Sequence, residues 1–304
     1  MDWRREKMKR LHITNGDSTI DLLRAAGIAG EYLPWRDILH FGPVPMCEDL
    51  PSLSVIRADF LASMGITNQA ALREDFAERD NKLNKAYDFD EIIFWFEHDL
   101  YDQLQIIQLF SWLTEHPVIV KKSTLVNPNK HLGHHTPEEA IDLLPTRRPI
   151  TQQQLDVAKQ AWYAFRQTNL EQWRELCSQI TGALPYLKAA IQRSLGELPQ
   201  PNSGCTQTEM MILELINRGE NHAGPLFRSY CQLEQNEFHG DMSFFWIVEQ
   251  MIQDTPPLLR KTQDVFELTK LGKTVLGGKQ RWERQYSQQH WLGGYCISSP
   301  KRST

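Results

Sequence analysis

Apolar residues fall into two kinds of run along this chain. The first kind is short and unbroken. Ile92-Ile93-Phe94-Trp95-Phe96 is five apolar residues that stop at Glu97-His98-Asp99. Such a run, β-branched and aromatic, reads as a strand buried on both faces. Leu11 to Thr14, Glu31 to Trp35 and the region Val118 to Val126 read as further strands, with Pro34 confining the second to an edge or a bulge. The second kind recurs at helical spacing. Thr19 to Ala26, Pro51 to Met64, Asn68 to Ala86 and Tyr101 to Glu115 are predicted helices, the last on Leu104, Ile107, Phe110 and Leu113. Thr136-Pro137-Glu138-Glu139 opens another, with Thr136 as its cap. Strand and helix alternate, which predicts an α/β, Rossmann-like unit with a mostly parallel sheet and flanking helices.

After Thr151 the strand pattern ends. Thr151 to Arg166, Leu170 to Ile180 and Leu184 to Leu195 are predicted helices, and Glu197 to Gly204 is a Pro/Gly/Ser-rich linker. Thr206 to Arg218, Pro225 to Gln235 and Asp241 to Gln253 follow as helices. Then come two alternating arms, 257–261 and 265–268, and a short helix to Leu276. Three helices, a wing and a helix resemble a winged-helix domain. The expected organisation is a leader (1–10), an α/β domain (11–150), a helical connector (151–198) and a winged-helix-like C-terminal domain (199–304).

Composition narrows the classes. At 304 residues there is length for two domains. No apolar run approaches a membrane span, and the basic stretch Met1 to Arg10 lacks the apolar segment of a signal peptide. A cytoplasmic protein is expected. The five cysteines are scattered and never form CxxC, which argues against a disulfide framework and the common zinc spacings. Net charge is −5, and Cys205 to Thr304 holds 11 acidic and 11 basic residues. The helix that would enter a DNA groove, Asp241 to Gln253, has no Lys or Arg. Phosphate contacts need cations, so nucleic acid is not the expected partner.

Candidate chemistry gathers at the strand ends. Asn15, Gly16, Asp17 and Ser18 follow the first strand. Arg36, Asp37 and His40 follow the second. Glu97, His98, Asp99, Tyr101, Asp102 and Gln103 follow the third, and Asn127, His131, His134 and His135 the fourth. In a parallel sheet these groups share the carboxyl edge, where open α/β sheets bind ligands. Asp17 or Ser18 is expected to cap the first helix, which leaves backbone N–H groups for an anion. Alternation sets Glu97 and Asp99 on one side and His98 on the other.

Three readings follow. In the first, Asp17, Asp37 and Glu97 or Asp99 hold a divalent metal such as Mg2+, and His98 or His40 serves as general acid or base. That predicts phosphoester or nucleotide chemistry, with Asp17, Glu97, His98 and Asp99 as catalytic residues. In the second, Gly16-Asp17-Ser18 resembles the nucleophile turn of Gly-Asp-Ser-Leu hydrolases, but Thr19 replaces the leucine and their Asp-x-x-His element is absent. In the third, Arg36 and the first helix grip an anion without catalysis. The ligand contacts expected are Asn15, Gly16, Ser18, Arg36, Asp37, His40, Tyr101, Asp102 and Gln103. His131, His134 and His135 are expected in a solvated loop, since tetrahedral zinc needs four placed ligands or three and water. The alternative function is a ligand-sensing transcription regulator using the winged-helix-like domain.

Taken together, His12 to Ser18, Trp35 to Val44 and the strand ending near Glu97 resemble the bacterial "domain of unknown function 1835" family over about residues 11 to 135. Phe238-His239-Gly240-Asp241 and the elements after it resemble the C-terminal domain often attached to that family. The resemblance implies the two-part architecture and no particular activity.

Overall fold

The computed structural model describes residues 8–179 and 182–297. Most of the expected leader, and the helix end expected at Ile180, lie outside the described residues. The first half runs β1 (Arg10–Thr14), α1 (Asp17–Ala25), β2 (Glu31–Pro34), α2 (Leu50–Ser63), α3 (Gln69–Asn84), β3 (Glu91–Trp95), α4 (Leu100–Leu113), a four-residue α5 (Pro117–Val120), β4 (Ser123–Val126), α6 (Pro137–Leu143) and a two-residue β5 (Arg148–Pro149). The protein is α/β, as the alternation requires. Its five-stranded sheet has the order β2-β1-β3-β4-β5. The first four strands are parallel and β5 is antiparallel. Pro34 sits in β2, an edge strand, where its missing N–H costs no ladder bond.

Two local expectations are corrected. Val118-Ile119-Val120 is helical, because Pro117 starts a turn there, and the fourth strand begins only at Ser123. The cap of α1 is Gly16, with no side-chain bond, and not Asp17 or Ser18. Asp17 lies inside the first turn with its carboxylate drawn to Arg36.

Alternating residues of the central strands cover both faces. Leu11, Ile13, Ile92 and Phe94 join a core built with α4 and α7 (Gln152–Phe165). Ile93, Trp95 and Val126 pack on the opposite side with Leu23 of α1 and Ala140 of α6. This two-sided burial is why β3 reads as one continuous apolar run. Phe94 meets Phe110 edge-on at 5.7 Å. Truncating either to Ala would leave a cavity costing about 3–5 kcal/mol. Strand order reverses around β1: the chain leaves it for β2 on one side and returns to β3 on the other. The crevice between the ends of β1 and β3 is a topological switch point.

Helices α8 (Glu171–Gln179) and α9 (Leu187–Leu195) extend the main core. A second core gathers α10 (Gln207–Asn217), α11 (Ala223–Leu233), α12 (Asp241–Gln253), the hairpin β6 (Leu259–Thr262) and β7 (Val265–Leu268), and α13 (Lys270–Leu276). The two halves interlock. Phe238 belongs to the first core, while Phe41 packs on the second, 5.2 Å from Trp246. A last hairpin, β8 (Trp291–Leu292) and β9 (Tyr295–Cys296), docks on the body. Val44 N–H donates to Gly293 O at 2.8 Å and Gly294 N–H to Phe165 O at 3.0 Å. Gly293 has φ +60°, and a Cβ there would lie 2.0 Å from the Phe165 carbonyl, so no other residue fits.

Candidate functional site

The carboxyl ends of β1, β3 and β4 deliver their side chains to one cavity of about 400 Å3. Its floor is the loop between β3 and α4. Asp99 is the N-cap of α4 and accepts the Asp102 N–H on Oδ1 at 3.0 Å. Capping uses that oxygen alone. Oδ2 has no hydrogen-bond partner, although the side chain is 99% buried. Glu97 is buried equally deeply and lines the same cavity. His98 lines a different depression, with Arg193 and Asn236.

The scaffold under these carboxylates is closely bonded. Asn15 donates to Glu97 Oε1 at 3.2 Å and to Asp102 Oδ2 at 3.0 Å, and accepts from Thr19 at 2.7 Å. One amide therefore uses both ends, which fixes its orientation. Asp102 also accepts the Glu97 N–H at 2.6 Å. Gln103 and Asn127 donate to the Glu97 carbonyl at 2.6 and 3.0 Å. Tyr101 donates its hydroxyl proton to the Asn15 carbonyl at 3.0 Å. Gln103 thus positions the loop from behind, whereas Asn15, Tyr101 and Asp102 both line the cavity and hold it.

His131 completes the group. Its Nδ1 lies 2.8 Å from Glu97 Oε2, and its Nε2 lies 3.5 Å from Asp99 Oδ2 and 2.7 Å from the Glu237 carbonyl. The expected solvated loop is corrected here for His131, whose side chain is 30% exposed. Ligand atoms of Glu97, Asp99 and His131 all fall within 4.8 Å of one another. Among the described residues this is the one cluster of three such side chains with metal-holding spacing.

Charge is unbalanced at this end of the cavity. Burial, then repulsion from Glu97, raises the pKa of Asp99 to about 7. Burial, then Asp99 and Glu97, raises Asp102 well above the carboxylate range. Burial alone would lower His131, but the contact with Glu97 and the field of Asp99 outweigh it and raise the imidazole to about 10. One imidazolium faces three carboxyl groups, two of them driven toward the protonated form.

The other expected residues have different placements. Asp17 is exposed and gripped by Arg36 at 2.6 and 2.8 Å, and Arg36 also holds Asp75 at 2.8 Å. Arg36 already has two carboxylates. Asp37 is fully buried against Arg57, with Nε 2.9 Å from Oδ1. Arg57 further donates to the carbonyls of Ile38, Phe41 and Pro43, and so staples the loop that carries His40. Neither Asp17 nor Asp37 joins the Glu97 cluster. Ser18 and Gly16 reach the cavity rim, but Ser18 has no histidine partner among the described residues. His40 lines the cavity.

The opposite wall comes from the C-terminal half: Phe227, Cys231, Glu237 to Ser243. Sequence reasoning placed none of these in the site. The signal available was the polar group His239-Gly240-Asp241 at the start of α12. The chain matches no protein-family model, and no curated protein shows significant similarity to it.

Proposed function

We propose that this protein is a metal-dependent enzyme acting on a small anionic molecule at the carboxyl edge of its sheet. Glu97, Asp99 and His131 are the metal ligands in this reading. Their shared spacing at the β1/β3 switch point carries it. Two carboxylates and one imidazole give a mixed oxygen and nitrogen set. Imidazole shifts preference from Mg2+ toward Mn2+ or Zn2+. Three protein donors leave positions for water and substrate, the pattern of catalytic and not structural sites. A metal there would polarise a phosphoryl or carbonyl oxygen and lower the pKa of a bound water. Asn15 and Asp102 would orient the ligands. Loading requires His131 and Asp99 to release their protons, so affinity should climb with pH. Metal-assisted hydrolysis or group transfer is the reaction class this supports.

The test is equilibrium dialysis of the full chain against Mn2+, Zn2+ and Mg2+ at pH 8. One equivalent of Mn2+ or Zn2+ should be retained, and none by Glu97→Gln. Equal retention by the variant would sink the reading.

The regulator reading has less support. The order α10, α11, α12, hairpin, α13 suits a winged helix. However, α12 buries Phe244, Ile247, Val248 and Met251, and its N-terminal end faces the cavity. We read this module as a cavity wall. We also keep membership of the domain of unknown function 1835 family as a proposal, carried by Asn15 to Ser18 and Trp35 to Val44.

A further inference from the structure

The cavity has a second pole, at the junction of the two halves. His40 is 7% exposed and neither of its ring nitrogens has a hydrogen-bond partner. His239 is 5% exposed. Its Nδ1 lies 3.1 Å from Ser243 Oγ, and its Nε2 has no partner. The two rings are 5.0 Å apart, and both line the cavity. Buried polar nitrogens without partners are rare in native proteins and call for a missing one.

Two helix ends line the same cavity. Gly16 caps α1 and Gly240 caps α12; neither cap has a side-chain bond, and both residues line the cavity. Nothing lies within 4 Å of the place a Cβ would take at either glycine, so the approach is clear. The first N–H groups of a helix have no intrahelical acceptor. At α12 one of them, from Met242, is taken by the Asp241 carboxylate at 2.7 Å. The helix ends carry partial positive charge and suit an anion.

The acidic groups lining the cavity, Glu97, Asp99, Asp102, Glu237 and Asp241, oppose an anion. A divalent metal at Glu97, Asp99 and His131 would offset them. This inference therefore rests on the metal reading. An oxyanion with several acceptor oxygens answers two helix ends and two imidazoles at once, which a carboxylate with two oxygens does less fully.

We propose that the N-termini of α1 and α12, with His40 and His239, form a phosphoryl-binding subsite across the junction of the two halves. The substrate is then a phosphorylated small molecule, held by the metal at one pole and by this subsite at the other. The C-terminal half supplies part of the site and does more than brace the sheet.

The experiment uses the full chain and inorganic phosphate. Mn2+ affinity is measured first, alone; if Mn2+ does not bind, the metal reading fails and takes this ligand class with it. Phosphate is then titrated into Mn2+-loaded protein, reading 31P line broadening against an acetate control followed by calorimetry. Phosphate should bind and acetate should not. His239→Asn should keep wild-type Mn2+ affinity and weaken phosphate by about tenfold, the loss expected of one hydrogen bond. Should that variant not fold, histidine side-chain 15N resonances of the wild type decide. Phosphate with Zn2+, which is diamagnetic, should move His40 and His239 and leave His116 in place. The proposal is overturned if phosphate does not broaden, if His239→Asn binds it as the wild type does, or if a simple amine moves those resonances and phosphate does not.

Discussion

Asp37 and Glu97 hold equivalent places in the fold. Each follows a parallel strand, each is almost completely buried, and each reads from sequence as a strand-end carboxylate. Their surroundings differ. Asp37 meets the Arg57 guanidinium, itself fully buried, and the loop around it closes on Arg57's remaining donors. Glu97 stands with two more carboxylates, Asp99 and Asp102, against a single imidazole. The first group has its charge balanced by one guanidinium, although Asp37 Oδ2 has no hydrogen-bond partner. The second can ionise all its acids only if positive charge is added, and it opens on a cavity. Burial of an acid is therefore no sign of function by itself; what separates the two is whether the protein supplies the counter-charge.

Breaking the complete pair should have the largest effect. Arg57→Leu leaves Asp37 buried and alone, and such a break costs about 3–5 kcal/mol. Urea denaturation should show that loss, while Mn2+ affinity of the folded fraction is unchanged. If the loss stays under about 1 kcal/mol, the value usual for exposed pairs, the pair is not closed as described.

The incomplete group should behave in the reverse way. Asp99→Asn should reduce Mn2+ affinity by more than the roughly 10- to 100-fold seen when an outer partner of a metal ligand is lost. It should also stabilise the metal-free protein. The sign follows from linkage: Asp99's pKa is raised to about 7 in the fold from an ordinary 3.8. Its contribution is intact below the lower value and is lost as pH rises to the upper one. The variant's advantage should thus grow between pH 4 and 7, as read from denaturation midpoints.

Histidines sharpen the contrast, because the two poles pull them in opposite directions. Burial, then His239 for His40 and Arg193 for His239, lowers both well below the ordinary 6.5. Their stabilisation is present above that value and is lost as pH falls, by about 1.4 kcal/mol per pH unit for each histidine. His131 is raised to about 10, so its stabilisation is complete below 6.5 and disappears as pH rises toward 10. The metal-free protein should therefore lose stability toward alkaline pH through His131, while toward acid pH the loss from His40 and His239 is set against the gain from Asp99. His40→Asn should flatten only the acid limb, and His131→Asn only the alkaline limb. A smaller effect is expected from Arg36→Ala: its pairs with Asp17 and Asp75 are exposed, and exposed pairs are worth about 0–1 kcal/mol. A loss beyond that range would mean Arg36 has a role besides pairing.

Much of the fold was legible because the sheet is parallel and two-sided. Ile92 to Phe96 had to be unbroken and apolar, and capping boxes at Thr136, Thr151 and Thr206 mark where helices start. The turn at Pro117 was missed because Val118-Ile119-Val120 has the composition of a strand, and one proline decides against it. The edge of the site was legible for the same reason as the sheet. Its membership was not. Arg57, in the middle of α2, reads from sequence as one more helical charge, yet it alone removes Asp37 from the candidates. His131 lies in a Gly/Pro loop whose pattern says solvent, and only the fold brings it to Glu97. His239 belongs to another module. Charge balance is a property of contacts between distant residues, and spacing along the chain does not carry it.

The most direct measurement is a crystal of the full chain soaked in Mn2+, with diffraction collected at the manganese absorption edge. One anomalous peak should sit between Glu97, Asp99 and His131, bonded to a carboxylate oxygen of each acid and to one imidazole nitrogen, with Asp37 still on Arg57. A site left with His131 against Glu97 and no peak, or a peak elsewhere on the chain, would contradict the assignment.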